Sequence, residues 1–314
     1  MSLTLGVDIG GTDVKLGVLS AQGEILERGK IPTRAGEGPP AVASRVGEWL
    51  RAHGALAASV TAVGVGCAGL IDGSRGWLYT SPNLPGWTGI PLASIFEEEL
   101  DRPVVIENDA NSAAYGEHRR GAGAGARNFV ALTLGTGVGG GVVLGGELYR
   151  GSAGFAGEIG HHVIDLNGPL CGCGKRGCLE ALIKAQAIVE RAITMARSRG
   201  ADRPGWDERL AVEALHRAAA SGDDLAADVL AETGRLLGVG LSNVIHIFDP
   251  DTIAIGGGVA GAGDFILEPA RATVRNSYMD AAMSHVRIVP ALLGNAASFI
   301  GAALLAQSGS GRPR

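Results

Sequence analysis

Aromatic residues make up only 4% of this 314-residue chain, and acidic residues outnumber basic ones, leaving a formal net charge of −5. The first shortage removes the material for base-stacking platforms. The second argues against a nucleic-acid partner, which calls for a basic patch or an excess of Lys and Arg. Arg119-Arg120, the compact basic pair of the first half, reads as a solvated helix end. No apolar run reaches the roughly 18 to 20 residues that span a bilayer without charges or helix-breaking glycines. The opening residues Met1 to Asp8 show no basic stretch followed by a long hydrophobic one, so no secretory signal is indicated. A cytoplasmic protein with neither a nucleic-acid nor a membrane partner is the expectation.

Glycine is the opposite case. Its 51 residues follow no collagen period and gather at the ends of apolar runs, where turns hold backbone close to a ligand. Leu3 to Ile9 reads as a strand, Gly10-Gly11-Thr12 as a turn, Val14 to Leu19 as a second strand, and Ile25 to Ile31 as a third. A helix follows from Pro40 to Ala52, with Val42, Val46, Trp49 and Leu50 inward. Val60 to Cys67 and Val104 to Glu107 are further strands, and Asn111 to Arg120 is a helix. The opening pattern then returns: strand Asn128 to Leu134, turn Gly135-Thr136-Gly137, strand Gly139 to Leu144, strand Glu147 to Tyr149. An internal repeat of strand, glycine turn and strand predicts two α/β lobes with facing glycine loops, between which a phosphate-bearing ligand would lie. Beyond it the spacing predicts helices over Ala181 to Ser198, Trp206 to Ala220 and Leu225 to Val244. A short strand region takes in Ile247 and Thr252 to Ile255, followed by strand Val286 to Pro290 and helix Ala296 to Gln307. The Gly/Ser-rich tail, Ser308 to Arg314, is expected to fray.

Three glycine turns follow apolar strands, at 10 to 11, 135 to 137 and 256 to 258. Backbone N–H groups in such turns form concave nests for anions. None fits Gly-x-Gly-x-x-Gly in a βαβ unit, and no Gly-Lys-Ser or Gly-Lys-Thr occurs, so dinucleotide and Walker-type sites are poor readings. One such turn is an ordinary hairpin; three, two of them related by the repeat, point to phosphate. Thr12 and Thr136 offer hydroxyls at matching places. Lys15 is placed either to reach a phosphate or to face water. Asp8 lies near the end of the first strand, ahead of the turn, where a magnesium ion bridging it through water to a phosphate would account for a buried acid.

Glu107-Asn108-Asp109-Ala110-Asn111 is the most polar strand-to-helix junction. Either Asn108 or Asp109 is competent to cap the helix. One cap does not need three polar residues, and Asp109 is the candidate base for an attacking hydroxyl, with Asn108 orienting the acceptor.

Three of the four cysteines lie within eight residues, at Cys171, Cys173 and Cys178, with His161-His162 ten residues ahead. Cys-x-Cys-x4-Cys plus one imidazole supplies a closed tetrahedral zinc shell, which is the structural kind. Free thiols in a glycine-rich loop, or a redox pair, are the alternatives, and they explain the third cysteine and the nearby histidine less well. Spacing alone does not choose between His161 and His162. Glu158 and Glu180 flank the cluster, and with the shell already filled they read as outer partners or polyol binders.

These motifs resemble the bacterial ROK family (repressor, open reading frame, kinase), and within it the ATP-dependent glucokinases. The marks are Asp8-Ile-Gly-Gly-Thr12, Leu84-Pro-Gly-Trp87, Glu107-Asn-Asp109, Gly157-Glu-Ile-Gly-His161 and Cys171-Gly-Cys-Gly-x-x-Gly-Cys178-x-Glu180, over a similarity running from Leu5 to about Ala306. The resemblance implies actin-like, ribonuclease-H-like duplicated lobes with a cleft between them. A small lobe would comprise residues 1–119 and 297–314, closed by the C-terminal helix, and a large lobe residues 120–296. It implies ATP with Mg2+ as donor and the 6-hydroxyl of glucose as acceptor. N-acetylmannosamine, mannose or fructose kinases and non-catalytic sugar-responsive proteins are the alternatives within the family. Asp109 would be the catalytic base. Gly69, Asn83, Asn108, Glu158, His161 and Glu180 would hold the sugar. Asp8, Gly10, Gly11, Thr12, Lys15, Gly135, Thr136 and Gly137 would hold the phosphates, with Gly257 and Gly258 near adenosine. His161, Cys171, Cys173 and Cys178 would bind structural Zn2+. Asp13 departs from the lysine or asparagine common at that place and puts a negative charge beside a phosphate loop. Family repressors carry an added helix-turn-helix ahead of the first strand, which here begins at Leu3. The family also implies a homodimer, with a tetramer as the alternative.

Overall fold

The computed structural model describes residues 2–201, 203, 205–207, 209–277 and 285–309. The chain divides into two compact units, Met1–Gly125 with Gly141–Gly157 and Leu293–Arg314, and Ala126–Gly140 with Glu158–Leu292.

In the first part of the chain, β1 (Leu3–Ile9), β2 (Asp13–Leu19) and β3 (Ile25–Pro32) form a meander, followed by α1 (Pro39–Arg51), α2 (Gly54–Ser59) and β4 (Val60–Cys67). A three-stranded sheet, β5 (Leu70–Asp72), β6 (Trp77–Thr80) and β7 (Thr88–Ile90), intervenes before α3 (Leu92–Leu100), β8 (Val104–Asn108) and α4 (Asp109–Arg120). The main sheet has the order β3-β2-β1-β4-β8, antiparallel through the meander and parallel from β1 onward. Strand β1 is buried at every position, as expected of a strand covered on both faces. On α1, Val42, Val46 and Leu50 are buried and Trp49 only partly so.

After β9 (Phe129–Leu134), β10 (Val138–Leu144) and β11 (Glu147–Leu148), the chain turns helical: α5 (Leu179–Ile183), α6 (Ala185–Ser198), α7 (Val212–Ala220) and α8 (Asp224–Phe248). Then come β12 (Thr252–Gly256), α9 (Asp264–Arg275), β13 (Arg287–Pro290) and α10 (Ala297–Ser308). The second sheet, β11-β10-β9-β12-β13, repeats the strand order of the first. The duplication read from the glycine turns is therefore a duplication of the sheet.

Several elements differ from the sequence reading. The helix expected over Ala181 to Ser198 is two, separated at Lys184, whose ψ of 158° is extended. The helix expected from Trp206 starts at Val212, and Ile247 belongs to α8 rather than to a strand. Of the tail expected to fray from Ser308, Ser308 is the last residue of the final helix, and positions 310–314 lie outside the described residues.

Helix α10 packs at backbone distance on the first sheet and on α4. A Cβ on Gly64 of β4 would stand 1.8 Å from the Ala302 carbonyl oxygen, and one on Gly301 would stand 1.7 Å from that of Ser112. Only glycine permits such approach. Ten of the twelve residues of α10 are buried, so the helix forms a central layer of the first unit and fixes α4 against the sheet.

Candidate active site

The first unit collects its polar side chains at the carboxyl ends of three parallel strands, the usual binding edge of an α/β sheet. Register aligns Asp8 with Gly66 and then Glu107, and Ile9 with Cys67 and then Asn108. Asp8 is 8% exposed and is not left unpaired. Lys15, its partner across β1 and β2, places Nζ 3.2 Å from Oδ2, and Ser298 Oγ of α10 donates to Oδ1 at 2.9 Å. Of the two placements open to Lys15, the structure adds a third, a counter-charge for Asp8. The Gly10 N–H closes the adjoining turn on the Asp13 carbonyl at 3.1 Å. Asp13 itself is held 2.8 Å from Lys30 Nζ, which offsets the negative charge it brings to this turn. Asn83 lies against the same turn, its carbonyl oxygen 3.0 Å from where a Gly11 Cβ would stand.

At the start of α4 the cap belongs to Asn108. Its Oδ1 accepts from the Ala110 and Asn111 N–H groups at 2.8 and 3.0 Å, and its Nδ2 donates to the Gly69 carbonyl at 3.1 Å. Asp109 is the first helical residue, and its Oδ1 accepts from the Ala110 N–H at 3.0 Å. The helix start does not require an acid there, although the positive end of the helix dipole favours one. Cys67, read from the sequence only as a strand end, feels both Asp8 and Asp109. Burial pushes its thiol well above the ordinary range, and the charges of Asp109 and Asp8 push it further.

In the second unit the Gly135 N–H bonds the Gly137 carbonyl at 2.9 Å, closing the turn after β9. Gly257, at φ +86°, lies against the same strand end: its Cβ would stand 2.2 Å from the Leu134 carbonyl oxygen. Two of the three glycine turns are therefore neighbours. Glu180 accepts from the Val138 N–H at 3.0 Å, so this acid is anchored on the turn.

The same glutamate reaches the cysteine cluster, with Oε1 3.5 Å from Cys171 Sγ. His161, Cys171, Cys173 and Cys178 bring one ligand atom each within 4.8 Å of one another. Cys173 and Cys178 sulfurs are 3.6 Å apart, and Cys171 Sγ is 3.5 Å from His161 Nδ1. A tetrahedron with zinc–sulfur bonds of about 2.3 Å has edges of about 3.8 Å, so the donor set fits zinc. Burial pushes the Cys171 thiol up to about 12, and Cys178 is raised for the same reason. Such thiols become thiolates when a cation stabilises them. Gly177, at φ +71°, makes the loop: a Cβ there would stand 1.4 Å from the Asp165 carbonyl oxygen. His162 turns away from the cluster, with Nδ1 on the Ile159 carbonyl. Of the two histidines, it is His161 whose ring lies within the cysteine cluster. Its Nε2 faces Glu158 Oε2 at 3.9 Å. The Glu158 carboxyl is raised by desolvation, lowered in part by His161, and raised again by Glu180, which puts all three in one electrostatic neighbourhood.

The ROK family pattern matches residues 4–309. The chain belongs to the ROK family. It is 37% identical to a glucokinase of Streptomyces coelicolor over 98% of both chains. Among solved structures, a ROK family glucokinase from Streptomyces griseus in complex with glucose and AMPPNP matches with TM-score 0.81 and 35% identity, over 98% of this chain and 99% of that one. A ROK hexokinase from Thermus thermophilus matches with TM-score 0.81 and 35% identity, over 98% of both. The actin-like fold of these kinases is the fold of this chain. Among the described residues, no helix is long and apolar enough to cross a membrane.

Proposed function

We propose that this ROK protein is an ATP-dependent glucokinase, transferring the γ-phosphoryl group of ATP to the 6-hydroxyl of glucose. Near-full-length similarity to glucokinases supports the reaction class. The observation that carries the assignment of roles is the division of labour at the start of α4, where Asn108 makes the cap and an acid at 109 is surplus to helix formation. Asp109 accepts the proton of the 6-hydroxyl as its oxygen attacks. Gly69, Asn83, Asn108, Glu158, His161 and Glu180 are assigned to the hydroxyls of the sugar. The N–H groups of the turns at Gly10, Gly11 and Thr12, and at Gly135, Thr136 and Gly137, cradle the phosphates with Lys15, and Gly257-Gly258 borders adenosine.

Magnesium, when bound with ATP, neutralises charge on the transferring phosphates. Asp8 fits a water-bridged contact to it, since each carboxylate oxygen keeps a lone pair beyond those engaged by Lys15 and Ser298. His161, Cys171, Cys173 and Cys178 would hold zinc, which would brace the loop between Glu158 and Glu180. Family analogy makes the protein a cytoplasmic homodimer, and light scattering at twice the chain mass is the expected result.

Turnover with ATP across a panel of glucose, mannose, fructose and N-acetylmannosamine tests the reading, glucose being expected to give the highest kcat/KM. Asp109→Asn is expected to lower kcat by roughly 10²- to 10⁴-fold. Absence of turnover with every hexose would sink the kinase reading. A variant as fast as the parent would sink the base assignment.

A further inference from the structure

Glu107 precedes the cap of α4 and is 2% exposed, the most deeply buried acid on the strand-end edge that carries Asp8 and Asp109. A buried carboxylate is tolerated only when its oxygens are fully engaged. Oε1 accepts from the Asn108 backbone N–H and from Asn111 Nδ2, both at 3.0 Å. Oε2 accepts from Arg150 Nε at 2.6 Å. One side chain therefore fixes residues 108 and 111, on either side of Asp109. Its third partner lies 43 positions away, in the segment of the first unit that runs to Gly157. Within that segment the Ala156 N–H closes on the Arg150 carbonyl at 3.0 Å, and Phe155 ties it to β6 by meeting Tyr79 edge-on with ring centroids 5.7 Å apart. That segment ends one residue before Glu158.

The helix start is already capped by Asn108, so α4 does not need this ion pair in order to form. Nor is a buried ion pair an economical source of stability, because removing both charges from water costs several kcal/mol that mutual attraction offsets only in good geometry. What the arrangement supplies is fixed direction. We propose that Glu107 is a positioning residue for phosphoryl transfer: its buried pair with Arg150 sets the start of α4 and, through it, the aim of the Asp109 carboxylate. The inference rests on the kinase reading of Asp109 given above.

Substitution separates this role from a merely structural one. Arg150→Met leaves a buried charge without its counter-ion. Glu107→Gln presents one carbonyl oxygen and one NH2 group to donors on both sides, so it mismatches either the asparagine donors or Arg150. In the double variant the amide oxygen faces the asparagine donors and its NH2 group no longer meets Arg150. Turnover with ATP and glucose is measured for all four proteins, normalised to folded fraction from thermal melts. Each single variant is expected to lose about 100-fold in kcat, the scale on which a misplaced catalytic group is felt, with the KM for ATP within about threefold. The double variant is expected to recover at least about tenfold over Arg150→Met. A double variant no better than the worse single, or singles within about threefold of the parent in kcat, would overturn the proposal. Should the singles not fold, Arg150→Lys keeps the charge and is expected to lose about three- to tenfold in kcat with ATP KM unchanged; parental kcat in that variant would overturn the proposal too. A parent inactive on every hexose would remove the kinase reading and this inference with it, an outcome distinct from an active parent with indifferent variants.

Discussion

The turns Gly10-Gly11-Thr12 and Gly135-Thr136-Gly137 follow equivalent strands of the two sheets, yet they are furnished with acid in different ways. The first has an acid from its own strand, Asp8, already matched by Lys15 across the hairpin and by Ser298 of α10. The second takes its acid from a distance of 42 residues: Glu180, two past the last cysteine, accepts from the Val138 N–H while its other oxygen lies near Cys171. Duplication thus supplies the same backbone donors twice. On the proposed reading the neighbouring side chains then divide the labour: Asp8 and Lys15 would serve a cation and phosphates at the first turn, and Glu180 would link phosphates to the hydroxyls of the sugar at the second.

If that division holds, variants at the two turns separate in which KM they move. The largest effect is expected from Glu180→Ala, which removes a proposed sugar ligand and the acceptor of the Val138 N–H together. The KM for glucose should rise about 100-fold while that for ATP stays within about threefold; equal rises in both would break the division. Next comes Cys178→Ser. The parent should carry one zinc per chain by atomic emission, and the variant should lose it and raise the glucose KM by roughly 10- to 100-fold, the scale of a disturbed metal environment. Nucleotide binding, followed by calorimetry, should survive that loss; its earlier failure would show that the cluster braces the phosphate turns instead. Lys15→Met acts on the other turn. It should raise the ATP KM by about tenfold and lower stability by about 1 kcal/mol, since the pair with Asp8 is part-exposed and Ser298 remains. A shift confined to glucose would reverse the assignment.

How much of this was legible in the sequence follows the same contrast between local and distant causes. The strand, glycine turn, strand repeat is local, and it gave both sheets their first strands. The split at Lys184 is not local: the Ala185 N–H bonds the Gly135 carbonyl at 2.8 Å, a tertiary contact that fixes where α6 begins. The sheet β5-β6-β7 escaped notice because its strands have only three or four residues and no clean alternation. Helix α9 escaped because Pro269 interrupts its interior and reads as a breaker. The three clustered cysteines and Asp109 stood out by residue type and spacing, whereas spacing left His161 and His162 undecided. Glu107 was visible only as part of a polar run, since its significance lies in Arg150, and nothing in sequence spacing joins those two.

The smallest expected effect gives the sharpest test of the second turn. A Cβ added at Gly135 meets no atom within 4 Å, whereas one at Gly11 would press within 3.0 Å of the Asn83 carbonyl oxygen. At Gly11 a substitution confounds packing with function. At Gly135 the fold makes no demand for glycine, so Gly135→Ala should leave Tm unchanged or raise it slightly, the smaller entropy of the unfolded chain being worth about 0.5 kcal/mol. If the N–H groups of this turn nest phosphate oxygens, the added methyl crowds the anion and the ATP KM rises by about fivefold, with the glucose KM and Tm unmoved. An unchanged ATP KM would mean that the bare surface at Gly135 serves neither fold nor phosphate, and the nucleotide would then rest on the first turn and on Gly257-Gly258.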